Sequence, residues 1–113
     1  MDRAMLEAEW LHLTREALPG VAAERGWPVR ADHCFQRILL DCAFGGRWYD
    51  FVASRPAYRH ADAAALARAV ALGQAALAGT ADLSELNRRS LTWRSKRRSA
   101  SSPEQGEVAS RQR

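Results

Sequence analysis

The sequence lacks the features on which several classes of protein depend. Its two cysteines, Cys34 and Cys42, would lie about 12 Å apart along one helix. A disulfide needs Cα atoms within about 7 Å, so we predict free thiols in a reducing compartment. No stretch approaches the roughly 18 apolar residues of a membrane span. The opening stretch MDRAMLEAEW contains acids and no apolar run. We therefore expect a soluble, cytoplasmic protein without a signal peptide or a membrane partner.

Short motifs of catalysis and metal binding are also missing. The sequence holds no G-x-S-x-G, no phosphate-binding loop and no C-x-x-C or H-x-x-x-H pair. The two cysteines would point about 80° apart on a helix, two turns from each other, so they cannot reach one ion. We predict no metal and no cofactor, and no residue is assigned a catalytic role. The residues of metal-ligand type are His33, Cys34, Asp41, Cys42 and His60.

The composition favours helices. Alanine supplies 22 of the 113 residues, and it is the best helix former and a poor strand former. A chain of this length has room for one domain. Large apolar residues recur at helical spacing along three stretches, and a fourth helical segment follows Gly79. We predict an all-α fold, a compact bundle of four to five short helices. The three stripes are Leu6, Trp10, Leu13 and Ala17; Phe35, Ile38, Leu39 and Cys42; and Leu66, Val70, Gly73 and Leu77.

The ends of these helices are predicted from turn and capping residues. Pro19 is expected either to interrupt the first helix or to restart it as a short second segment over 20–25, which Gly26 closes. The predicted N-terminal caps are Asp32, Asp62 and, in a capping box with Glu85, Asp82. The stretch 47–58 fits either a helix or a strand. Its predicted inward-facing residues are Trp48, Phe51 and Val52.

Charge is distributed unevenly along the chain. Up to Leu86 there are nine Arg against eleven Asp and Glu, whereas from Asn87 onward there are eight Arg or Lys against two Glu. From about Ser95 the sequence is Ser, Arg, Gln, Glu and Pro, with Val108 as its one large apolar residue. Such a segment cannot bury enough surface to offset its ordering entropy. We predict a helical domain over 1–95 and a disordered basic tail over 96–113.

Two groups of polar residues are candidates for a binding site. His33, Arg37 and Asp41 share one helical face, either as a site or as a solvated face with an Arg37–Asp41 ion pair. Arg47 follows two glycines, and the stretch 55–60 fits either an exposed recognition loop or a plug at the core edge. The candidate residues are His33, Arg37, Asp41, Arg47, Arg55, Tyr58, Arg59 and His60.

The basic C-terminal end suggests weak, sequence-independent binding of nucleic acid. Arginine and lysine neutralise phosphates, and Trp93 could stack on an unpaired base. The alternative is a solvated face with Trp93 as an anchor. A helix-turn-helix is disfavoured, because the positions six and nine residues after Gly79, which should be buried, hold Glu85 and Arg88. The candidate contacts are Arg88, Arg89, Trp93, Arg94, Lys96, Arg97 and Arg98.

Three phrases carry a family resemblance: ERGWPVRADHCFQRILLDCAFGGRWYDFV, RPAYRHAD and LNRRSLTWR, spread over roughly residues 20–94. They resemble a group of small proteobacterial proteins often labelled GCN5-related N-acetyltransferase. The resemblance implies acyl transfer from acetyl-CoA on a mixed sheet. The acetyl-CoA loop of that superfamily, R/Q-x-x-G-x-G/A, has no counterpart in RILLDCAFGG, so no acetyl-CoA residue is carried over.

These observations favour a non-enzymatic helical binding or regulatory module, with weak nucleic-acid affinity through its basic end. The alternatives are an acyl-transfer or other small-molecule site around His33, Arg37, Arg47, Tyr58 and His60, and a helix-turn-helix-like protein. A protein partner or a homodimer through the Ala-rich helix is a further hypothesis.

Overall fold

The structure, a computed structural model, describes the backbone of residues 2–101 and the side chains of residues 2–95. The part of the predicted tail that follows residue 101 lies outside the described residues. Within the described range the chain is helical and has no strand, so the predicted all-α bundle is confirmed. The elements are α1 (Arg3–His12), a π-helical segment (Leu13–Ala17), α2 (Leu18–Ala22), α3 (Asp32–Phe44), a 3₁₀ turn (Trp48–Asp50), α4 (Ala57–His60), α5 (Ala63–Ala78) and α6 (Leu83–Ser101).

The first three elements form one continuous helical run in which a π segment separates α1 from α2, and Pro19 lies in the first turn of α2. The predicted restart at Pro19 is therefore confirmed, although the helical run does not break there. In the π segment the N–H of Leu18 bonds to the carbonyl of Leu13, five residues back. In an α-helix a proline ring clashes with the carbonyl four residues earlier, and the wider π turn lies directly before Pro19. The run ends where the Trp27 N–H bonds to the Ala22 carbonyl at 3.1 Å. Gly26 closes this end as predicted, with a φ of 67° that favours glycine.

The third helix, α3, is the centre of the bundle. It packs against α5, α6 and the π segment. Its predicted stripe is confirmed for Phe35, Ile38 and Leu39, which are wholly buried. On α5 the buried Gly73 lets the helices approach closely, since a Cβ there would meet a methyl of Leu39 at 3.1 Å. None of the helices described for residues 2–101 is long and apolar enough to cross a membrane.

The helix caps agree with the prediction in part. Asp62 caps α5 by accepting from the Ala65 N–H at 2.7 Å, and Gly79 ends that helix with a φ of 86°. Asp82 accepts from the Ser84 N–H at 3.0 Å, but the Glu85 carboxylate binds Arg88 instead of completing a capping box. The N-cap of α3 is Ala31 and not the predicted Asp32, which is the first helical residue.

The stretch 47–58, for which helix and strand were both open, contains the 3₁₀ turn and the start of α4. Val52 is buried as predicted and Trp48 is half-buried. The predicted inward position of Phe51 is wrong: it is 57% exposed and stacks on Phe44 with ring centroids 5.1 Å apart. A stacked pair at the surface lets Phe51 cover a neighbouring ring without entering the core.

Candidate functional site

The candidate site begins where polar faces of α3 and α6 meet. Arg37 and Asp41 are one turn apart on α3, and Asn87, Ser90 and Arg94 follow each other at helical spacing on α6. Residues three and four apart lie on one helical face, so each helix turns a polar stripe toward the other. Asp41, Ser90 and Asn87 are buried in this contact. The packing of α3 on α6 is therefore partly a hydrogen-bonded network.

Asp41 is the centre of that network. Its carboxylate is wholly buried and accepts the Trp48 N–H at 2.9 Å and the Ser90 hydroxyl at 2.6 Å. Arg94 donates to both carboxylate oxygens, from Nε at 2.9 Å and from one terminal nitrogen at 3.2 Å. The interpretation of Asp41 as part of a solvated face paired with Arg37 is therefore wrong. Its charge is compensated by Arg94, 53 residues later in the chain.

Arg37 is held by neutral acceptors. One terminal nitrogen donates to the Ser90 hydroxyl at 2.7 Å and the other to the side-chain oxygen of Asn87 at 2.8 Å. Ser90 thus accepts from Arg37 and donates to Asp41. Among the described residues Arg37 forms no salt bridge, so the network fixes the position of its guanidinium without neutralising its charge.

Aromatic rings stand beside these arginines. The guanidinium of Arg94 lies 5.2 Å from the centre of the Tyr49 ring, and that of Arg47 lies 5.2 Å from the same ring. Arg55 lies 4.9 Å from the centre of the Trp48 ring. Cation–π contacts of this kind hold planar guanidinium groups against the ring faces.

Of these side chains, all but Arg47 line an open cavity of about 630 Å³. Four arginines and one histidine line it, and no aspartate or glutamate is among the lining side chains in the described part of the chain. The charge of Arg94 is balanced by Asp41, whereas the other three arginines have no described carboxylate partner. The lining residues are Trp10, Arg15, His33, Gln36, Arg37, Leu40, Trp48, Tyr49, Arg55, Pro56, Ala57, Tyr58 and Arg94.

Among the described lining residues, Trp10 is the one with a buried polar side-chain atom that has no hydrogen-bond partner. Its side chain is wholly buried, and its indole N–H has no hydrogen-bond partner among the described residues. A buried donor left unpaired costs about 1–3 kcal/mol, so such groups are uncommon in folded proteins. Trp10 is among the residues that line the same cavity as the arginines.

The predicted site residues separate into three groups. Four of them line the cavity: His33, Arg37, Arg55 and Tyr58. Asp41 and Arg47 do not line the cavity but contact residues that do: Asp41 binds Arg94, and Arg47, which binds Asp50 at 2.9 Å, lies over the Tyr49 ring. Arg59 and His60 are exposed and are not among the lining residues.

Sequence reasoning missed other parts of the site. Ser90 and Asn87 are polar residues at the spacing of an apolar stripe, a signal that could have indicated a buried polar face on α6. Trp10 belongs to the first apolar stripe, so its spacing indicates a core residue and gives no sign of a role for its indole N–H. Arg15 and Tyr49 carry no sequence signal that distinguishes them from surface residues.

The predicted nucleic-acid contacts lie in different surroundings. The side chains of Arg88 and Arg89 are 69% and 57% exposed, and both pair with Glu85. The hydrogen bond from Arg88 lowers the pKa of Glu85. Trp93 is half-buried, whereas Arg94 faces Asp41 and the cavity. The other candidates, Lys96, Arg97 and Arg98, lie outside the residues whose side chains are described.

The thiol of Cys42 lies beside the polar network, where it donates to the Leu86 carbonyl at 3.4 Å. Burial raises its pKa to about 11, and the nearby Asp41 charge adds to that effect while Arg89 and Arg37 oppose it. Cys42 is therefore a neutral thiol at neutral pH. Across the described residues no group of three or more His, Cys, Asp or Glu side chains is placed to hold a metal ion.

Comparisons with known proteins give no family assignment. No protein-family model matches the chain, and no significant match occurs among curated proteins or solved structures. The resemblance to proteins labelled as acetyltransferases therefore stays a prediction.

Proposed function

We propose that this protein is a cytoplasmic binding module whose cavity takes a small organic anion. The observation that carries the proposal is the charge of the lining: Arg15, Arg37, Arg55 and Arg94 are present without a lining carboxylate. Cavities lined by one sign of charge focus the field and concentrate ligands of the opposite sign. An anion is the ligand that this charge favours.

Arg37 has N–H donors that remain available for a ligand. A guanidinium has five N–H donors, and Arg37 uses two of them on Ser90 and Asn87. Both acceptors fix its plane, so little conformational entropy is lost when a carboxylate or phosphate binds the remaining donors. Arg37 thus resembles a preorganised anion ligand more than a flexible surface residue.

The walls favour an anion with an apolar part. Trp48, Tyr49 and Tyr58 all line the cavity, and their rings offer flat contact surfaces. A volume of about 630 Å³ lies within the roughly 300–1,000 Å³ of ordinary small-molecule sites. An aromatic carboxylate therefore fits both the size and the chemistry of the cavity.

Titration calorimetry tests this proposal with inorganic phosphate, hydrocinnamate and acetyl-CoA as probes. We expect hydrocinnamate to bind more tightly than phosphate, because it also contacts the aromatic walls. Acetyl-CoA is included because acyl transfer is the alternative function implied by the resemblance. No heat with any probe, together with no thermal shift, would overturn the proposal.

A pair of variants makes the test specific for the cavity. Arg55 lines the cavity, whereas Arg59 is exposed four residues later and does not. Loss of one charge-assisted hydrogen bond costs about 1.5 kcal/mol or more, so Arg55→Gln should weaken hydrocinnamate binding roughly tenfold. Arg59→Gln has the same change in net charge and should leave the affinity unchanged. Equal losses in the two variants would indicate a general effect of charge.

Nucleic-acid binding through the basic end is the second candidate function, and the exposure of Arg88 and Arg89 favours it. Fluorescence anisotropy with single-stranded and duplex DNA tests it, and affinity should fall steeply as salt rises. A truncation for this assay should begin after Ser95, because removal of Arg94 would also unpair the buried Asp41. Binding that is insensitive to salt would contradict this candidate. The homodimer stays a prediction that sedimentation at high concentration can test.

A further inference from the structure

The unpaired indole N–H of Trp10 defines a second feature of the ligand. Trp10 is wholly buried, its Nε1 has no partner among the described residues, and the side chain belongs to the lining of the cavity. Indole nitrogen is a donor only, so the group that satisfies it must bring an acceptor. The cationic side chains of Arg37 and Arg55 line the same cavity.

We propose that the ligand is an aromatic carboxylate that also carries an uncharged carbonyl oxygen, and that Trp10 donates its indole N–H to this oxygen. The inference rests on the proposed anion binding and adds the chemical class of the ligand. Charge-assisted hydrogen bonds are roughly twice as strong as neutral ones, so the carboxylate goes to the arginines. The neutral donor of Trp10 is left for the neutral acceptor.

The site would then reject close analogues that lack the carbonyl. A site built to hydrogen-bond a polar group disfavours a ligand without it, because the buried protein group stays unpaired. The arginines would bind any carboxylate of suitable size. Trp10 is therefore the residue that determines specificity, and Arg55 contributes affinity to all such anions.

Two matched pairs of ligands test this. Phenylpyruvate has a carbonyl group where hydrocinnamate has a methylene, and benzoylpropionate differs from phenylbutyrate in the same way. The carbonyl lies directly beside the carboxylate in phenylpyruvate and farther from it in benzoylpropionate. In at least one pair we expect the keto acid to bind roughly three- to tenfold more tightly, the range that one net hydrogen bond allows. Equal affinities within both pairs would overturn this inference and leave anion binding intact. No binding by any of the four would overturn both.

Nuclear magnetic resonance on the unaltered protein gives a direct readout. The chain has four tryptophans and so four indole N–H signals, of which the Trp10 signal is the one lost in Trp10→Phe. The preferred keto acid should shift this signal downfield, and its carbonyl-free partner should not. Trp10→Phe should also equalise the affinities within that pair. If Trp10→Phe does not fold, the protein can be labelled at its tryptophans and the Trp10 signal assigned from the neighbouring residues that contact it. An unmoved Trp10 signal at saturating keto acid would contradict the proposal.

Discussion

Replacing Arg94 by methionine should destabilise the fold strongly. The side chain of Asp41 is 0% exposed, and Arg94 is its charge partner. Breaking a buried ion pair by removing one member costs about 3–5 kcal/mol, because a buried charge is left uncompensated. Arg94 is itself 27% exposed, so water can reach part of the gap, and the lower end of about 3 kcal/mol applies. For a domain of this size the loss corresponds to a fall in Tm of roughly 12–24 °C.

A double variant separates charge from packing. In Asp41→Asn with Arg94→Met no buried charge remains, and the asparagine oxygen can still accept the Trp48 N–H. We therefore expect the double variant to be more stable than Arg94→Met alone, when both are measured by urea unfolding followed by circular dichroism. Arg88→Met, on the same helix but 69% exposed, is the control and should not shift the midpoint measurably. Additive losses in the double variant, or a wild-type midpoint for Arg94→Met, would refute the reasoning.

Three further outcomes follow from the described contacts. Because the Cys42 pKa is raised to about 11 in the fold from an ordinary value of 9.0, the free energy of unfolding should fall as pH rises from about 9 to about 11. Cys42→Ala should reduce that slope in chemical unfolding across the same window. Gly73→Val should cost about 2 kcal/mol, since a Cβ added there would lie 3.1 Å from a Leu39 methyl and 3.3 Å from a Leu13 methyl, whereas the exposed Ala71→Val on the same helix should cost much less. Ser90→Ala should cost about 2 kcal/mol in urea unfolding, because two charged groups lose a hydrogen-bond partner, and a loss below about 0.5 kcal/mol would contradict the network.

The helical fold could be predicted because it depends on local signals. The Phe35, Ile38 and Leu39 stripe, the Asp62 cap and the end at Gly79 are each set by a few adjacent residues, and all are confirmed. The sequence predicts an interruption or a restart of the helix at Pro19, and the helix restarts there without a break because a π turn lies directly before the proline. Spacing in a sequence does not reveal that turn.

The candidate site could be predicted only in part because its central contacts join distant parts of the chain. His33 and Arg37 stood out as polar residues on one face, and both line the cavity. The partner of Asp41, however, is 53 residues away, so the nearer Arg37 was the natural choice at helical spacing. Arg94 begins a run of basic residues, which is why the sequence predicts a contact with nucleic acid. The residues next to Arg94 in the sequence do not indicate that it pairs with Asp41 on another helix.

The buried network between α3 and α6 is better explained by the cavity than by stability. A protein in which well-packed apolar residues replace a buried ion pair is often as stable as the original or more stable. The Asp41–Arg94 pair is therefore weak evidence that the fold depends on it for stability. Aliphatic residues, however, cannot accept hydrogen bonds from guanidinium groups and so cannot fix their positions. Asp41 fixes Arg94 against the Tyr49 ring, and Ser90 and Asn87 fix Arg37, so that both guanidinium groups line one cavity. If that explanation holds, the Asp41→Asn, Arg94→Met double variant, which keeps an acceptor for the Trp48 N–H, should recover much of the stability lost in Arg94→Met and still lose affinity for aromatic carboxylates. If the variant kept both its stability and its affinity, the cavity would not explain the network.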